Sequence, residues 1–310
     1  MSATTPDASF RAIARNLAVD AMTAHCGTEL LARGVSFIVL KGPSTRRWLY
    51  ADRTPRTYVD SDLLVAPDDY ETAEDVLRGL GYRPFRFTRK HDLPIHAWTW
   101  ITDGHSVDLH RFLLGVGASP QQMWSILQAE TEPIDVAGVS MQALAEPGRA
   151  LHVALHAVQH PRADKPLQDL RRAIDLVPHE VWLRSSELAE RLDAAPAFRT
   201  GLELLPEGRV LSRQLGLQVD PRAEDALRAA GDPPGAQRAN WLLEQRNARA
   251  IAGFVAGRLF PPATYIRVRY QIARRGRLGL IAAYVMRPFH VLVIAPTAFM
   301  RARRARRDAR

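Results

Sequence analysis

Two aspartates, Asp60 and Asp62, lie one residue apart at the start of the apolar run VDSDLLVA. If this run is a strand, alternate side chains point the same way, so the two carboxylates share one face of a sheet. Two acids held so close repel each other unless a cation lies between them. Mg²⁺ prefers oxygen ligands and commonly keeps water and substrate phosphates in its shell. The spacing therefore predicts a magnesium site.

A third acid, Asp108, lies inside the apolar run SVDLHRFLL. Burying an unpaired charge is costly, so a carboxylate in such a run needs a partner. Metal binding would supply one, because a site that holds two ions normally needs a third carboxylate besides the first pair. A structural contact with His110 or Arg111 is the alternative. His105 and His110 flank Asp108 and are candidates for moving substrate protons, or, for His110, for a hydrogen bond alone.

The turn after the apolar run VSFIVL is suited to binding phosphate. Gly42 lets backbone amides approach an anion, and the start of the following helix adds donors and a favourable dipole. Lys41 would neutralise phosphate charge, and Ser44 would cap exposed amides. Arg56, four residues before Asp60, has two interpretations, a triphosphate contact and a salt bridge to an acid. On the residues alone, Lys41 and Gly42 are the predicted phosphate-binding residues of this turn, and Arg56 is a candidate.

The elements that must position these residues follow from hydrophobic periodicity and from glycine and proline punctuation. Helices are predicted at FRAIARNLAVDAMTAHCGTELLARG, PSTRRWLYA and PDDYETAEDVLRGLGY, and strands at VSFIVL, VDSDLLVA, RPFRFTR, IHAWTWI and SVDLHRFLL. The last two strands should form an antiparallel pair around the Asp103-Gly104 turn. This order predicts an α+β fold with a mixed sheet.

Beyond Glu146 the pattern becomes helical, in segments such as ALHVALHAVQH and LQDLRRAIDLV. We predict three parts: a catalytic domain at 1–145, an all-helical domain at 146–262, and a basic, apolar C-terminal segment at 263–310.

The arrangement VLKG, R-x-x-x-D-S-D-LLV and VDLH resembles the uncharacterised nucleotidyltransferase family of the polymerase-β-like nucleotidyltransferase superfamily. The resemblance covers residues 30–112, and more weakly the helices that follow. It implies that Asp60 and Asp62 ligate metal, that Asp108 is the third ligand or the base, and that Gly42 and Ser44 form the nucleotide turn. Pro43, between Gly42 and Ser44, departs from the superfamily's usual pattern.

Three histidines, His152, His156 and His160, recur every four residues and so share one face of a predicted helix. Imidazoles at this spacing can bind zinc. No H-E-x-x-H acid accompanies them, which favours a structural or substrate-facing stripe. The chain also has no P-loop, dinucleotide-binding or serine-elbow motif.

The net charge of +9 is concentrated at the C-terminal end, where residues 267–310 carry twelve arginines and one acid. Such a segment attracts an anionic surface, either lipid headgroups or the phosphates of RNA. Residues 278–300 are apolar enough to span a membrane, but Arg287, Pro288 and His290 lie at their centre. We expect two short helices or a hairpin lying on a membrane, or packing of this segment on the helical domain.

One cysteine, Cys26, excludes an internal disulfide framework, and the N-terminus lacks the pattern of a signal peptide. A cytoplasmic protein is therefore expected, and a peripheral position at a membrane is one of the two alternatives left open by the C-terminal segment. The predicted function is metal-dependent transfer of a nucleoside monophosphate from ATP or another NTP to an acceptor. The acceptor is a small molecule, a peptide or protein, or RNA. The alternative is a catalytically weak module that binds nucleotide or a partner on the same fold.

Overall fold

The computed structural model describes residues 8–52, 54–85, 96–232 and 234–309. Contacts divide them into two compact units. The first comprises residues 8–85 and 96–219 and contains all the predicted site residues. The second comprises residues 220–309. The first unit is an α+β fold with one mixed sheet, as predicted.

Seven strands form the sheet of the first unit: β1 (Phe37–Val39), β2 (Asp60–Val65), β3 (Arg83–Pro84), β4 (Ala97–Thr102), β5 (His105–His110), β6 (Thr131–Val136) and β7 (Val139–Leu144). Their order across the sheet is β3-β4-β5-β2-β1-β7-β6. β2 pairs antiparallel with β1 and parallel with β5. β2 therefore lies near the middle of the sheet, with a neighbour on each edge.

The same unit contains nine α-helices and one 3₁₀ helix within its described residues. They are α1 (Ala8–Ala32), α2 (Pro43–Leu49), the 3₁₀ helix Pro67–Asp69, α3 (Tyr70–Gly79), α4 (Pro120–Gln128), α5 (Glu146–Gln159), α6 (Asp164–Leu176), α7 (His179–Arg191), α8 (Ala195–Leu202) and α9 (Pro206–Gln214).

The two faces of the sheet are covered by different helices. Ile38 and Leu64, on the face that also carries Asp60 and Asp62, belong to a buried cluster with residues of α4 to α9. On the other side, α1 contacts β2, β6 and β7 and packs with α3. Because both faces are covered, β2 is almost entirely apolar after its two acids.

The predicted antiparallel pair β4–β5 and the position of Asp108 beside β2 are confirmed. Of the predicted strand RPFRFTR, residues 83–85 are described: Arg83 and Pro84 form β3, and Phe85 comes directly after it. Residues 86–89 lie outside the described residues. The sequence interpretation missed the β6–β7 hairpin. Its turn is Ala137-Gly138, and both residues have positive φ, but an alanine at such a position is not a usual turn signal.

The second unit is helical: α10 (Ala223–Ala229), α11 (Pro234–Glu244), α12 (Ala248–Leu259), α13 (Ala263–Arg269), a 3₁₀ helix (Gln271–Arg274) and α14 (Arg277–Asp308). The expectation of two short helices within residues 278–300 is wrong, because α14 is continuous through Pro288 and Pro296. A proline removes one backbone donor, and packing of α14 against α11 and the 3₁₀ helix offsets that loss. Among the described residues, one helix, α14, is both long enough and apolar enough to cross a membrane, judged by length and composition alone.

Replacing Gly201 of α8 by alanine tests the close packing of α8 on α5. A Cβ atom at Gly201 would collide with the backbone carbonyl of Ala154, which cannot move aside as a flexible side chain could. We expect Gly201→Ala to lower the free energy of unfolding by about 1–3 kcal/mol in urea titrations. Gly79→Ala is the control, since a Cβ there has no neighbour within 4 Å. Equal stability of the two variants would contradict the packing.

Candidate functional site

The parallel pairing of β2 with β5 sets two carboxylates side by side. In this register Asp62 lies directly opposite Asp108, and Leu64 lies opposite His110. Residues 60, 62, 106, 108 and 110 therefore share one face of the sheet. Ligand atoms of Asp62, Asp108 and His110 all lie within 4.8 Å of one another. This group is the centre of the site.

Asp62 is the most deeply buried member, with 3% of its surface exposed. Its Oδ1 atom accepts a hydrogen bond from Lys41 Nζ at 2.8 Å and lies 3.0 Å from His110 Nε2. Burial alone would raise the pKa of this carboxyl, but Lys41 and His110 outweigh it and hold the pKa far below its ordinary value. Both contacts therefore favour the ionised form of Asp62.

Lys41 owes its place to the strand before it. The amide of Leu40 donates to Asp62 O at 3.0 Å, which brings the end of β1 beside the start of β2. Burial lowers the pKa of the Lys41 ammonium, but Asp62 raises it more, with Asp60 and Asp108 adding to the effect. The net pKa is above the ordinary value of lysine, so this side chain stays charged.

Two buried atoms in the group have no hydrogen-bond partner among the described residues: Asp108 Oδ1 and His110 Nδ1. An unpaired buried oxygen on a carboxylate is costly. A divalent cation would satisfy Asp108 Oδ1. The other ligand atoms of the group, carboxylate oxygens and an imidazole nitrogen, also suit such an ion. The residues present therefore fit a divalent metal, although this donor set does not select Mg²⁺ over other ions.

Asp60 lies one pleat from Asp62 on the same face and is partly exposed. Burial is the main cause that raises its pKa, and repulsion from Asp62 adds to the shift. Lys165, at the start of α6, acts electrostatically on Asp60 in the opposite sense. Asp60 is outside the group of three atoms within 4.8 Å, and His110 is the third member instead. The prediction that Asp60 ligates metal stays a prediction.

The Lys-Gly turn has the backbone that only glycine adopts readily. Gly42 has φ 62° and ψ −112°, and a Cβ there would lie 3.3 Å from the ring of Tyr58. Ser44 is buried in the first turn of α2, and its Oγ accepts a hydrogen bond from Arg149 Nε at 3.0 Å. The hydroxyl predicted to bind nucleotide thus has a protein partner in this structure.

Arg56 forms a buried ion pair. Its Nε and Nη2 atoms donate to Asp169 Oδ1 and Oδ2 at 2.8 and 2.7 Å, and Tyr50 donates to Oδ1 at 2.7 Å. Of the two interpretations of Arg56, the structure contains the salt bridge to an acid. The pair joins the loop before β2 to α6.

The histidine stripe of α5 faces the site. His152 is buried, and Lys41, His110 and Asp62 all act electrostatically on it. The rings of His152 and His156 are stacked with centroids 6.3 Å apart, and those of His156 and His160 are 5.0 Å apart. Among the described residues, the stripe does not form a group that could hold a metal. Burial lowers the pKa of all three imidazoles.

His105 lies on the opposite face of the sheet. Its Nε2 atom is 3.0 Å from Ser61 Oγ, and its Nδ1 atom is 2.7 Å from the hydroxyl of Tyr82. The idea that His105 moves substrate protons beside Asp108 is therefore wrong, since β-strand alternation separates residues 105 and 108.

Sequence reasoning missed Arg149 and Asp169, which hold Ser44 and Arg56 from the helices after the sheet. They are 105 and 113 residues away from these partners. No local spacing could have revealed them. The place of His110 in the group could have been predicted from the sequence, because period-two alternation puts residues 108 and 110 on one face.

A model of the family described as "Uncharacterised nucleotidyltransferase" matches residues 6–207. Among solved structures, the solution structure of the antibiotic-resistance factor ANT(2'')-Ia is 15% identical, with a TM-score of 0.39, covering 56% of this chain and 95% of that chain. The crystal structure of an antigenic nucleotidyltransferase-like protein from Paracoccidioides brasiliensis is 16% identical, with a TM-score of 0.35, covering 60% and 92%. No curated protein matches the chain.

Breaking the Arg56–Asp169 pair should destabilise the first unit strongly. Arg56→Met leaves Asp169 as a buried charge without its partner, a change that costs about 3–5 kcal/mol in comparable pairs. Arg191→Met is the control, because Arg191 is half exposed in its pair with Glu130 and such pairs contribute about 0–1 kcal/mol. Urea unfolding measures both changes, and a loss for Arg56→Met no larger than that for the control would show that the pair is not structural.

Acid should destabilise the fold through His152. Burial lowers its pKa from 6.5 to about 3 in the folded state, whereas the unfolded chain takes up the proton near pH 6.5. The free energy of unfolding should therefore fall as the pH drops from 6.5 toward 3, by up to about 1.4 kcal/mol per pH unit.

Unfolding titrations at several pH values should show a flatter pH dependence for His152→Gln than for the wild type. His179→Gln, at an exposed position on α7, should keep the wild-type slope. An unchanged slope in His152→Gln would rule out this histidine as a source of the acid sensitivity.

Proposed function

Because the chain belongs to the uncharacterised nucleotidyltransferase family, we propose that it is a metal-dependent nucleotidyltransferase. It would transfer a nucleoside monophosphate from an NTP to a hydroxyl or phosphate of an acceptor and release pyrophosphate. The observation that carries the proposal is the group of Asp62, Asp108 and His110, in which a buried Asp108 oxygen has no partner among the described residues. Such a group is poorly explained as a structural contact.

Asp62, Asp108 and His110 would hold a divalent ion, with Asp60 beside them on the same face as a candidate ligand of a second ion. When bound, such ions polarise phosphate oxygens and help to activate an attacking oxygen. Mg²⁺ is the ion proposed, because carboxylates and substrate phosphates are its usual ligands in proteins.

The protein's own groups would contribute charge and proton transfer. Lys41 stays charged at the end of β1, where its ammonium can neutralise charge that develops on the leaving pyrophosphate. Asp108 would take the proton from the acceptor as the acceptor oxygen bonds to the α-phosphorus. The bond from that phosphorus to the bridging oxygen then breaks, and the electron pair leaves with pyrophosphate. Gly42 would let backbone amides approach the phosphates.

The arginine and serine predicted to bind nucleotide have supporting roles in this proposal. Arg56 holds the loop before β2 through Asp169, and Ser44 holds α2 through Arg149. Both side chains would position the turn and the acidic strand, and neither would contact the triphosphate directly. The acceptor could be a small molecule, a peptide or protein, or RNA, and ATP is one candidate donor.

Calorimetry with ATP, GTP, CTP and UTP, with and without Mg²⁺, tests this proposal. We expect triphosphate binding that needs the metal and that is lost in Asp62→Asn. Asp175→Asn, an exposed acid on α6, is the matched control and should bind as the wild type does. Triphosphate binding that ignores both the metal and Asp62→Asn would instead favour a module that binds nucleotide without catalysis.

Transfer itself is measured with α-labelled NTPs and a lysate separated into protein, RNA and small-molecule fractions. Label should accumulate in one fraction with the wild type, and Asp108→Asn should lower the rate about 10²–10⁴-fold, as expected for loss of a general base. Undiminished transfer by Asp108→Asn would exclude this residue as the base.

A further inference from the structure

Helix α14 presents an apolar face to solvent along most of its length. Leu278, Ile281, Val285, Phe289 and Leu292 recur at helical spacing and are 83, 59, 61, 68 and 67% exposed. Val293 and Met300 continue the same face, with 78 and 63% exposed. From Leu278 to Met300 this face is about 33 Å long at 1.5 Å per residue. We call it the apolar stripe of α14. A contiguous exposed stripe of this length marks a surface that is covered by something else.

The opposite side of α14 is packed on its own unit. Gly279, Ala283 and Ala302 are buried, and Arg287 is 4% exposed. The Arg287 guanidinium donates from Nε to Arg258 O at 2.7 Å and stacks over the ring of Tyr265. Protein therefore occupies one side of the helix, so lipid cannot surround it. This packing argues against a simple spanning helix, despite its length and hydropathy.

Positive charge flanks the apolar stripe at both ends. Arg274, Arg275 and Arg277 precede it. Arg303 and Arg307 follow on the same helical face, and both are exposed. Residues 267–310 carry twelve arginines and one acid. The surface thus combines exposed aliphatic and aromatic side chains with a basic rim.

An apolar face with a basic rim could be covered by a second copy of the chain, by RNA or by a membrane, and the charge pattern favours the membrane. Two copies of the chain joined through the stripe would place arginines beside arginines in either a parallel or an antiparallel arrangement, which is unfavourable. RNA would use the arginines and leave the aliphatic side chains in water. A bilayer with anionic headgroups satisfies both parts, since acyl chains take up the apolar side chains while phosphates face the arginines.

We propose that α14 docks the protein on an anionic membrane surface, lying in the plane of the interface with its apolar stripe inserted below the headgroups. This docking is independent of the nucleotidyltransferase proposal and concerns the second unit alone. An in-plane helix of this kind buries one face to the level of the headgroup and acyl boundary, and its other face stays on the protein.

Vesicle flotation tests the docking with the full chain. Phosphatidylcholine vesicles containing roughly 30 mol % phosphatidylglycerol, comparable in effect to an anionic leaflet, should carry the protein, and pure phosphatidylcholine vesicles should carry much less. The double substitution Phe289→Asp/Leu292→Asp should reduce binding by about 100-fold or more, since each inserted side chain contributes roughly tenfold or more. Leu176→Asp, at an exposed leucine of α6 in the first unit, is the matched control and should float as the wild type does.

The charge contribution is tested separately. Arg303→Gln and Arg307→Gln should each weaken binding to the anionic vesicles by about fivefold, and higher salt should weaken the wild type in the same direction. Carbonate at high pH should extract the protein from the vesicles, because an in-plane helix is peripheral. Resistance to that extraction would overturn the in-plane arrangement in favour of a spanning one.

A second readout does not depend on the folding of an aspartate variant. Cys26 is fully buried and is the only cysteine, so an environment-sensitive dye can be attached at Leu292→Cys or, as the control, at Leu176→Cys. Anionic vesicles should shift the emission of the first to the blue and leave the second unchanged. No shift at position 292, or equal flotation of the wild type and the aspartate variant, would overturn the proposal. A lipid-free dimer dissolved by Phe289→Asp would assign the stripe to a second copy instead.

Discussion

The site depends on one constraint: the charge of Asp62 is buried in the middle of the sheet and must be balanced there. Strand order provides the balance from both sides. β1 lies on one edge of β2 and leads into the turn that carries Lys41. β5 lies on the other edge and carries His110. Both side chains approach the same carboxylate oxygen. The price of this arrangement is that Asp108 is aligned beside another acid, which leaves its Oδ1 atom without a partner among the described residues. This imbalance is what the proposed divalent cation would offset.

The helices after the sheet add few charges to this centre. The imidazoles of His152 and His156 are held neutral by burial, so α5 covers the site without adding positive charge that would compete with a metal ion. Lys41 contacts Asp62 as an ammonium group. Arg149 and Arg56, although cationic, are matched by Glu132 and Asp169. The helices therefore place few unmatched cations near the acids, a setting that suits the proposed cation.

The acidic strand and the turn could be predicted from the sequence, because period-two alternation and a lysine-glycine pair after an apolar run are local signals. It also indicated that Asp108 belongs beside Asp62, although only the observed register decides which residues are opposite each other. Alternation could have excluded His105, which faces the other side of the sheet with Ser61 and Tyr82. The partners Arg149 and Asp169 could not be found in this way. They act across more than 100 residues, and no local pattern in a single sequence indicates such pairing.

Helix α14 illustrates a different limit. Hydropathy and the run of arginines identified the segment, but periodicity alone does not say which face of a helix turns to protein. Here the small residues Gly279, Ala283 and Ala302 pack inward and the large apolar residues turn outward, the reverse of the usual arrangement in a water-soluble helix. In the sequence, Arg287 at the centre of the apolar run argues against a simple spanning helix. In the structure it points inward, where the backbone of Arg258 and the ring of Tyr265 satisfy its charge. A central arginine therefore does not interrupt the stripe, because it projects from the opposite side of the helix.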